Sequence, residues 1–278
     1  MGKAKTLMIQ GASSDAGKSM LVTGLCAYYR KKGLRVAPFK AWNMSLNSYV
    51  TAAGGEIGFA QGLQAAAAGI VATEDMNPLL LKPRGDGRVQ VIVRGAPWKD
   101  ITPGQLATQE RDFALQVISD SLAVVARDVD LVVIEGAGSP SEVNVRPRDL
   151  ANMETAFLAQ APVIIIGDFK RGGVTQLVGT WQLLSVLEQK YVKGWVANRT
   201  SSGDDIASWD AVLSRHTGRP LLGQVPEGPA AAIQAEDAAS LAVGAGVKDE
   251  DFSLLAAHLA AGVKMDLLEV IIEEGVKS

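Results

Sequence analysis

Residues 5–25 have the sequence K-T-L-M-I-Q-G-A-S-S-D-A-G-K-S-M-L-V-T-G-L, and this stretch decides the fold. The apolar run Leu7 to Ile9 predicts a strand, and a helix is expected to begin near Lys18. Five residues, Ala12 to Ala16, separate the two glycines of the loop between them, whereas the usual phosphate-binding loop has four. Backbone N–H groups and the positive end of a helix dipole converge in such a loop. The stretch therefore predicts a polyphosphate site.

The loop and the start of the helix supply the predicted nucleotide-binding residues. Lys18 is expected to neutralise β- and γ-phosphate oxygens, and the Ser19 hydroxyl is expected to face a magnesium ion. The full predicted set is Ser14, Asp15, Ala16, Gly17, Lys18, Ser19 and Met20.

Composition excludes several classes of protein. The chain has 278 residues, 47% of them hydrophobic and 21% charged, as in ordinary soluble globular proteins. A net charge of −3 without a basic block argues against nucleic acid as a partner. No apolar run approaches the roughly 20 residues that span a bilayer, and the N-terminus lacks the pattern of a signal peptide. A single cysteine excludes an internal disulfide framework and fits a reducing compartment. We therefore expect a cytoplasmic protein that binds neither membrane nor nucleic acid.

The order of strands and helices predicts the fold class. Continuous apolar runs at Leu131–Ile134 and Pro162–Ile166 are typical of strands buried on both faces. Strands that alternate with helices along the chain predict an α/β fold, doubly wound, with a mainly parallel sheet and helices on both faces. Other expected elements are a strand at Val89–Val93 that Gly95-Ala96-Pro97 ends, and helices at Glu56–Gly69, from a cap near Thr102 to about Val125, and at Val174–Glu188.

Two carboxylates are candidate magnesium ligands beside Ser19. Glu135 ends a buried strand before Gly-Ala-Gly, which favours a site close to a ligand over a glutamate in solvent. Glu56 follows two glycines and is expected to open a helix, so its alternative role is stabilisation of the helix dipole. Sheets of this type bind ligands at the carboxyl ends of their strands, where both residues are expected.

Several other polar residues follow strands and are weaker candidates. Lys40 follows the second strand and is expected to stabilise charge on a transferring phosphoryl group, unless it is an ordinary surface lysine. Asn43 and Asn47 would hydrogen-bond an acyl substrate or cap local turns. Asp168 and Arg171 are further candidate catalytic residues in a loop suited to anions. Candidate purine-pocket residues are Asn198, Pro226 and Glu227.

Cysteine and histidine chemistry has little support in this sequence. Cys26 lies in an apolar helical run and is expected to be a buried structural thiol. The two histidines, His216 and His258, both lie in late helical stretches. The sequence therefore argues against a Cys-His glutaminase, a serine-histidine hydrolase or a zinc site.

Six motifs in order carry a resemblance to a known family. They are Q-G-A-S-S-D-A-G-K-S, A-P-F-K-A-W-N-M-S-L-N-S, G-G-E-I-G-F-A-Q, M-N-P-L-L-L-K-P, V-I-E-G-A-G-S-P-S-E-V-N and G-D-F-K-R-G-G-V. Over about residues 5–245 the chain resembles the synthetase domain of the cobyric acid synthase family, whose superfamily includes dethiobiotin synthetase. The resemblance implies a P-loop fold and ATP with Mg²⁺ as cofactors.

The resemblance also implies an activity and its partners. Family members activate corrinoid side-chain carboxylates with ATP, as acyl phosphates, and amidate them with ammonia in cobalamin biosynthesis. The expected substrate is thus a tetrapyrrole-like polycarboxylate, bound by Trp42, Asn43, Asn47, Ser139 and Asn144. Lys18 and Lys40 would balance charge beside magnesium held by Ser19, Glu56 and Glu135. A homodimer is expected by the same resemblance.

The resemblance further implies how the chain is divided. Residues 1–245 are expected to form the synthetase domain, and residues 246–278 a helical extension of it. Family members carry a glutaminase domain after the synthetase domain, and none is expected here. The expected source of ammonia is therefore the solution or a separate glutaminase chain.

Departures from the family pattern lie in the substrate-side loops. The family usually has Gln at Trp42, Asp at Lys170, Asp at Pro147, and Lys-Phe-Arg at Arg199-Thr200-Ser201. The acid substrate is therefore open, and Trp42 would either stack on a flat macrocycle or pack its loop. Two other functions stay open: an ATP-dependent carboxylating ligase like dethiobiotin synthetase, and a non-catalytic nucleotide-binding regulator.

Overall fold

A computed structural model describes residues 4–102, 104–144, 146, 149–201, 203–228 and 247–276. The strands are β1 Lys5–Gly11, β2 Val36–Phe39, β3 Trp42–Met44, β4 Ser48–Val50, β5 Glu56–Gly58, β6 Leu79–Pro83, β7 Val89–Val93, β8 Ala96–Ile101, β9 Leu131–Glu135, β10 Val163–Asp168, β11 Val192–Thr200 and β12 Leu221–Pro226. The helices are α1 Lys18–Lys31, α2 Phe59–Ala68, α3 Arg111–Val125, α4 Met153–Ala159, α5 Gly173–Leu183, α6 Val186–Tyr191, α7 Ile206–Thr217, α8 Asp249–Gly262 and α9 Met265–Glu274.

The main sheet is parallel and has helices on both faces, as predicted. Its six strands lie in the order β12-β11-β10-β1-β9-β2. Alternate side chains of a strand point to opposite faces. In β1, Met8 packs into the core on the side of α3, α4 and α5, whereas Leu7 and Ile9 pack into the core on the side of α1, α8 and α9. The phosphate loop thus leaves the sheet between β10 and β9, near its middle.

A second, smaller sheet was not predicted. It has the order β3-β6-β7-β8, with β6, β7 and β8 antiparallel. The strand β7 has the predicted bounds Val89–Val93 and ends before Gly95, but a tight turn with positive φ at Arg94 and Gly95 then leads directly into β8, which was not predicted. This sheet and the β4–β5 hairpin lie within the long connection between β2 and α3.

Three predicted helices have different bounds. Glu56 lies in β5 instead of opening a helix, since residues 56–58 pair with β4 and α2 begins at Phe59. The helix expected from Thr102 begins at Arg111, after a short 3₁₀ turn at Gln105–Ala107. The helix expected at Val174–Glu188 is two helices, because Leu184 is extended and Ser185 caps α6 through a capping box with Glu188.

The last two described helices belong to the main core. Phe252, Leu255 and Leu259 of α8 pack in the same cluster as Leu21 and Leu25 of α1. The alanine-rich stretch 230–239 lies outside the described residues. Among the residues that the structure describes, no helix is both long and apolar enough to cross a membrane.

Candidate active site

The phosphate loop has the backbone that its glycines predict. Gly17 has a φ of +102°, a left-handed conformation that favours glycine, and α1 begins directly after it without a side-chain cap. A Cβ on Gly17 would also lie 2.1 Å from the Asn198 Nδ2 atom. The amide groups of the first turn of α1 are thus left for a ligand, as in an anion site.

Lys18 joins this loop to the loop after β9. Its side chain is buried, and Nζ donates to the carbonyl oxygens of Ser13 at 3.2 Å and of Gly138 at 3.3 Å. The ammonium group is therefore held between the two loops, where phosphate oxygens of a nucleotide at the α1 N-terminus would be neutralised.

The Glu135 carboxylate is the centre of a buried polar cluster. Its Oε1 atom accepts hydrogen bonds from Lys40 Nζ at 2.7 Å and Ser19 Oγ at 2.9 Å, and its Oε2 atom accepts one from Gln64 Nε2 at 2.5 Å. The side chains of Lys40 and Glu135 are 1% and 0% exposed. The alternative interpretations, an ordinary surface lysine for Lys40 and a glutamate in solvent for Glu135, do not agree with this burial. Four elements thus meet at one carboxylate: α1, α2, β9 and the end of β2.

The donor set of this cluster fits a magnesium ion that also binds nucleotide phosphates. Magnesium prefers oxygen ligands and is usually held by one or two carboxylates together with phosphates and waters. Ser19 and Glu135 supply a hydroxyl and a carboxylate in direct contact. Among the described residues there is no group of three or more His, Cys, Asp or Glu that would form a metal site by themselves.

Glu56 is not brought into this cluster. Its carboxylate forms an ion pair with Lys82 and accepts a hydrogen bond from Ser48 Oγ at 2.6 Å. These two partners hold the pKa of Glu56 below its ordinary value. The geometry favours a structural role for Glu56 and leaves its expected role as a metal ligand without support from contacts.

A cavity of about 640 Å³ adjoins Lys18 and Lys40. Polar groups from both the phosphate loop and the loop after β2 line it, together with apolar side chains. The lining residues are Ser14, Asp15, Lys18, Lys40, Asn43, Met44, Ser45, Leu46, Asn47, Phe59, Ala60, Pro83, Ala137 and Gly138. Two expected substrate residues, Asn43 and Asn47, are therefore placed together with two expected catalytic lysines.

Three other expected substrate residues do not line this cavity. Trp42 is partly buried and packs against the core, while its neighbours Asn43 and Met44 face the cavity. Ser139 forms a hydrogen bond with Ser141, and Asn144 is exposed. The packing of Trp42 favours a role in packing its loop over a role in stacking on a flat macrocycle. Pro147, a departure from the family pattern, lies outside the described residues.

The remaining candidates lie on the other side of the phosphate loop, at the ends of β10, β11 and β12. Asp168 is buried and accepts a hydrogen bond from Arg199 at 2.6 Å, whereas Arg171 is exposed and 3.8 Å from the same carboxylate. Lys170 pairs with Glu227 at 2.5 Å, and Pro226 ends β12 beside them. The structure therefore separates Asp168 and Arg171 from the Lys40–Glu135 pair.

Asn198 forms a direct link from this second group to the phosphate loop. Its side-chain amide donates to the Ala16 carbonyl at 2.8 Å, and it occupies the space that a side chain at residue 17 would need. A buried amide at this position would support the loop whether or not it also contacts a nucleobase.

Two amide residues of the site were not predicted from the sequence. Gln64 contacts Glu135, and Asn77 donates to the Lys40 carbonyl at 2.9 Å while it accepts from the Gly58 N–H at 2.8 Å. The available sequence signal for Gln64 was its position three residues after Gln61 in an alanine-rich helical stretch.

The Cys26 thiol is buried, as expected. Its burial, together with the nearby Glu135 charge, raises the pKa of the thiol.

Comparison with known proteins confirms the resemblance to cobyric acid synthases. The cobyric acid synthase of Desulforamulus reducens is 46% identical over 243 residues, which cover 87% of this chain and 48% of that protein. The cobyric acid synthase of Geobacillus sp. (strain WCH70) is 46% identical over 245 residues, with the same coverage. The probable cobyric acid synthase of Methanothermobacter thermautotrophicus is 47% identical over 240 residues, covering 86% and 48%. The chain spans about half the length of these curated relatives.

A solved structure and a family model were also matched. The signal recognition particle receptor FtsY from Elizabethkingia anophelis aligns with a TM-score of 0.47 and 14% identity, over 92% of this chain and 66% of that chain. The model of the CobQ/CobB/MinD/ParA nucleotide binding domain matches residues 7–241, which include the phosphate loop, Lys40 and Glu135. The chain therefore belongs to the CobQ/CobB/MinD/ParA nucleotide-binding domain family.

Proposed function

We propose that this chain is an ATP- and magnesium-dependent amidoligase that acts on side-chain carboxylates of a corrinoid or a related tetrapyrrole. The observation that supports this proposal is the cavity shared by Lys18, Lys40, Asn43 and Asn47. The cavity lining includes two lysines, whose charges a phosphoryl transfer needs, together with amide and apolar groups suited to a large acid.

ATP supplies a phosphoryl group that turns a substrate carboxylate into an acyl phosphate, from which ammonia displaces phosphate to leave an amide. Lys18 would neutralise the phosphate oxygens at the N-terminus of α1. Lys40, on the cavity side, would attract the substrate carboxylate and balance the charge that develops during transfer. Asn43 and Asn47 would orient the acid, and the apolar lining residues would exclude water from it.

Magnesium in this site would balance phosphate charge and be held by Ser19 and Glu135. Those two side chains are already in contact, so the donor atoms need little rearrangement. Lys40 shares the Glu135 carboxylate, which couples the metal side of the site to the acid side. We place the nucleoside on the other side of the phosphate loop, near Asn198, Pro226 and Glu227.

The test is phosphate release by the purified chain with ATP, magnesium, ammonium and a panel of carboxylated tetrapyrroles, with mass spectrometry of the products. The proposal predicts a mass decrease of about one unit for each carboxylate converted, since amidation replaces OH by NH₂. Lys18→Ala should abolish turnover because it removes the central phosphate contact. Lys32→Ala is the matched control, because Lys32 is an exposed lysine directly after the last residue of the same helix and pairs with Glu269.

The same experiment separates the alternatives. Turnover that requires bicarbonate and an amine in place of ammonium and an acid would indicate a carboxylating ligase. Nucleotide binding without acid-dependent phosphate release would indicate a non-catalytic regulator. Either outcome would overturn the amidoligase proposal.

A further inference from the structure

Two buried glutamines of α2 extend the cluster around Glu135. Gln64 Nε2 donates to Glu135 Oε2 at 2.5 Å, and Gln61 Nε2 donates to Gln64 Oε1 at 3.3 Å. Both glutamines are completely buried. Residues three apart on a helix lie on one face, so the two amides form a continuous line that ends at the carboxylate.

The carboxylate fixes the direction of this line. Glu135, in its ion pair with Lys40, can only accept hydrogen bonds. Gln64 must therefore present its NH₂ group to Glu135, which leaves its oxygen to accept from the NH₂ group of Gln61. The orientation of each amide is thus set by its neighbour, and the Gln61 oxygen is left at the far end.

The far end of the line lies beside a residue of the cavity. A Cβ on Gly58 would be 2.5 Å from Gln61 Oε1 and 2.4 Å from Asn43 Nδ2, so both atoms lie on the same side of this glycine. Gln61 Oε1 has no hydrogen-bond partner among the residues that the structure describes. Asn43 lines the cavity next to Lys40. Glycine at position 58 leaves the space between the two amide groups empty of a side chain.

We propose that Gln61 and Gln64 are positioning residues, a buried amide relay that orients the Glu135 carboxylate for a divalent cation and ends at Gly58, beside Asn43. This inference rests on the proposed function, since it assigns Glu135 to the cation of the nucleotide site. Neither glutamine touches a reacting atom. Their effect is to hold Oε2 of Glu135 in a hydrogen bond. The carboxylate group then keeps a single orientation, in which Oε1 stays beside Ser19.

The relay matters because a carboxylate with one free oxygen can rotate. Partners of this kind orient metal ligands, and their removal typically weakens metal affinity by about 10- to 100-fold. Gln64→Met removes the amide but keeps a long unbranched side chain, so it isolates the hydrogen bond from the packing. Gln61→Met breaks the relay one link farther away, and a smaller loss is expected.

The experiment measures Mn²⁺ binding by electron paramagnetic resonance in the presence of β,γ-imido-ATP, which cannot transfer its phosphate. Affinity for the nucleotide is measured separately with and without EDTA. For Gln64→Met we expect Mn²⁺ affinity to fall at least 10-fold while nucleotide affinity in EDTA is unchanged. Leu63→Met, a partly buried neighbour on the same helix, is the control and should bind Mn²⁺ as the wild type does.

Three outcomes are informative. Equal Mn²⁺ affinity in Gln64→Met and the wild type would overturn the relay and leave the proposed function intact. A wild type that binds the nucleotide with no effect of Mn²⁺, or not at all, would overturn both. If Gln64→Met does not fold, as shown by circular dichroism, Gln61→Met decides: a measurable loss of Mn²⁺ affinity supports the relay, and wild-type affinity overturns it.

Discussion

At the scale of single residues, the Lys40–Glu135 pair is the group most sensitive to substitution. Both charges are withdrawn from water, so each depends on the other. Lys40→Met would leave a buried carboxylate without its counter-charge, and we expect it to lower the free energy of unfolding by about 3–5 kcal/mol. Urea denaturation followed by circular dichroism would measure the change.

A double substitution provides the control for this prediction. Lys40→Met combined with Glu135→Leu removes both charges, and stability should recover most of the loss because buried ion pairs are often replaceable by apolar residues. ATP-dependent turnover should not recover. A single Lys40→Met variant that is nearly as stable as the wild type would show that the two side chains are solvated and apart in solution.

Individual site residues could be predicted, but their contacts could not. Lys40 and Glu135 were both expected because Lys40 follows a strand of the parallel sheet and Glu135 ends one. Their pairing joins residues 95 positions apart, and the contact from Gln64 to Glu135 joins residues 71 apart. Contacts of this kind depend on how α2 lies against the sheet, which no local pattern in the sequence specifies.

At the scale of elements, the β4–β5 hairpin is attached to β6 through Glu56. The Glu56 carboxylate accepts from Ser48 in β4 and pairs with Lys82 in β6. These contacts keep the pKa of Glu56 below 4.5, its ordinary value. A lowered pKa in the folded state stabilises the protein above the ordinary value, and the stabilisation is lost as the pH falls through the folded pKa.

Glu56→Gln should therefore be less stable than the wild type at pH 7, by about 0.2–1 kcal/mol because the pair is partly exposed. The difference should disappear as the pH falls below 4.5. Urea denaturation of both proteins between pH 7 and pH 3 would measure it. If Glu56 were instead a magnesium ligand, the substitution would change the magnesium concentration needed for activity, and Ser48→Ala would not.

The elements themselves were predicted where the signal was strong. Apolar runs predicted the buried parallel strands, but the cap of α3 was wrong by eight residues, Thr102 against Glu110. Thr102 is a good capping residue by type, yet its backbone N–H and hydroxyl lie near the Gln105 side chain, and a 3₁₀ turn follows. Glu110, the residue before α3, instead pairs with Lys99 of β8, and a contact of this kind cannot be predicted from the local sequence.

At the scale of the whole molecule, the helix that follows the phosphate loop packs against the last described helices. α1 carries Lys18 and Ser19 at its start and packs along α8. A Cβ on Gly24 would lie 2.1 Å from the Leu259 Cδ1 atom, so the two helices approach closely at this glycine. The stability of the nucleotide site is therefore coupled to residues more than 200 positions later in the chain.

Leu259→Ala tests this coupling. Leu259 is fully buried, and we expect its truncation to lower the free energy of unfolding by about 2–5 kcal/mol, through lost burial and a cavity against α1. Leu254→Ala on the same helix is the control, because Leu254 is 62% exposed and should change stability by less than about 0.5 kcal/mol. Urea denaturation would compare the two.

Nucleotide should stabilise Leu259→Ala and the wild type by the same increment, because the substitution leaves the folded site intact and stabilisation by a ligand depends only on its concentration and affinity. A smaller increment in Leu259→Ala would mean that α8 also shapes the phosphate loop in the folded state. Equal stability of the Leu259→Ala and Leu254→Ala variants would mean that α8 does not pack on α1 in solution. Residues 247–276 would then not belong to the same core as the phosphate loop.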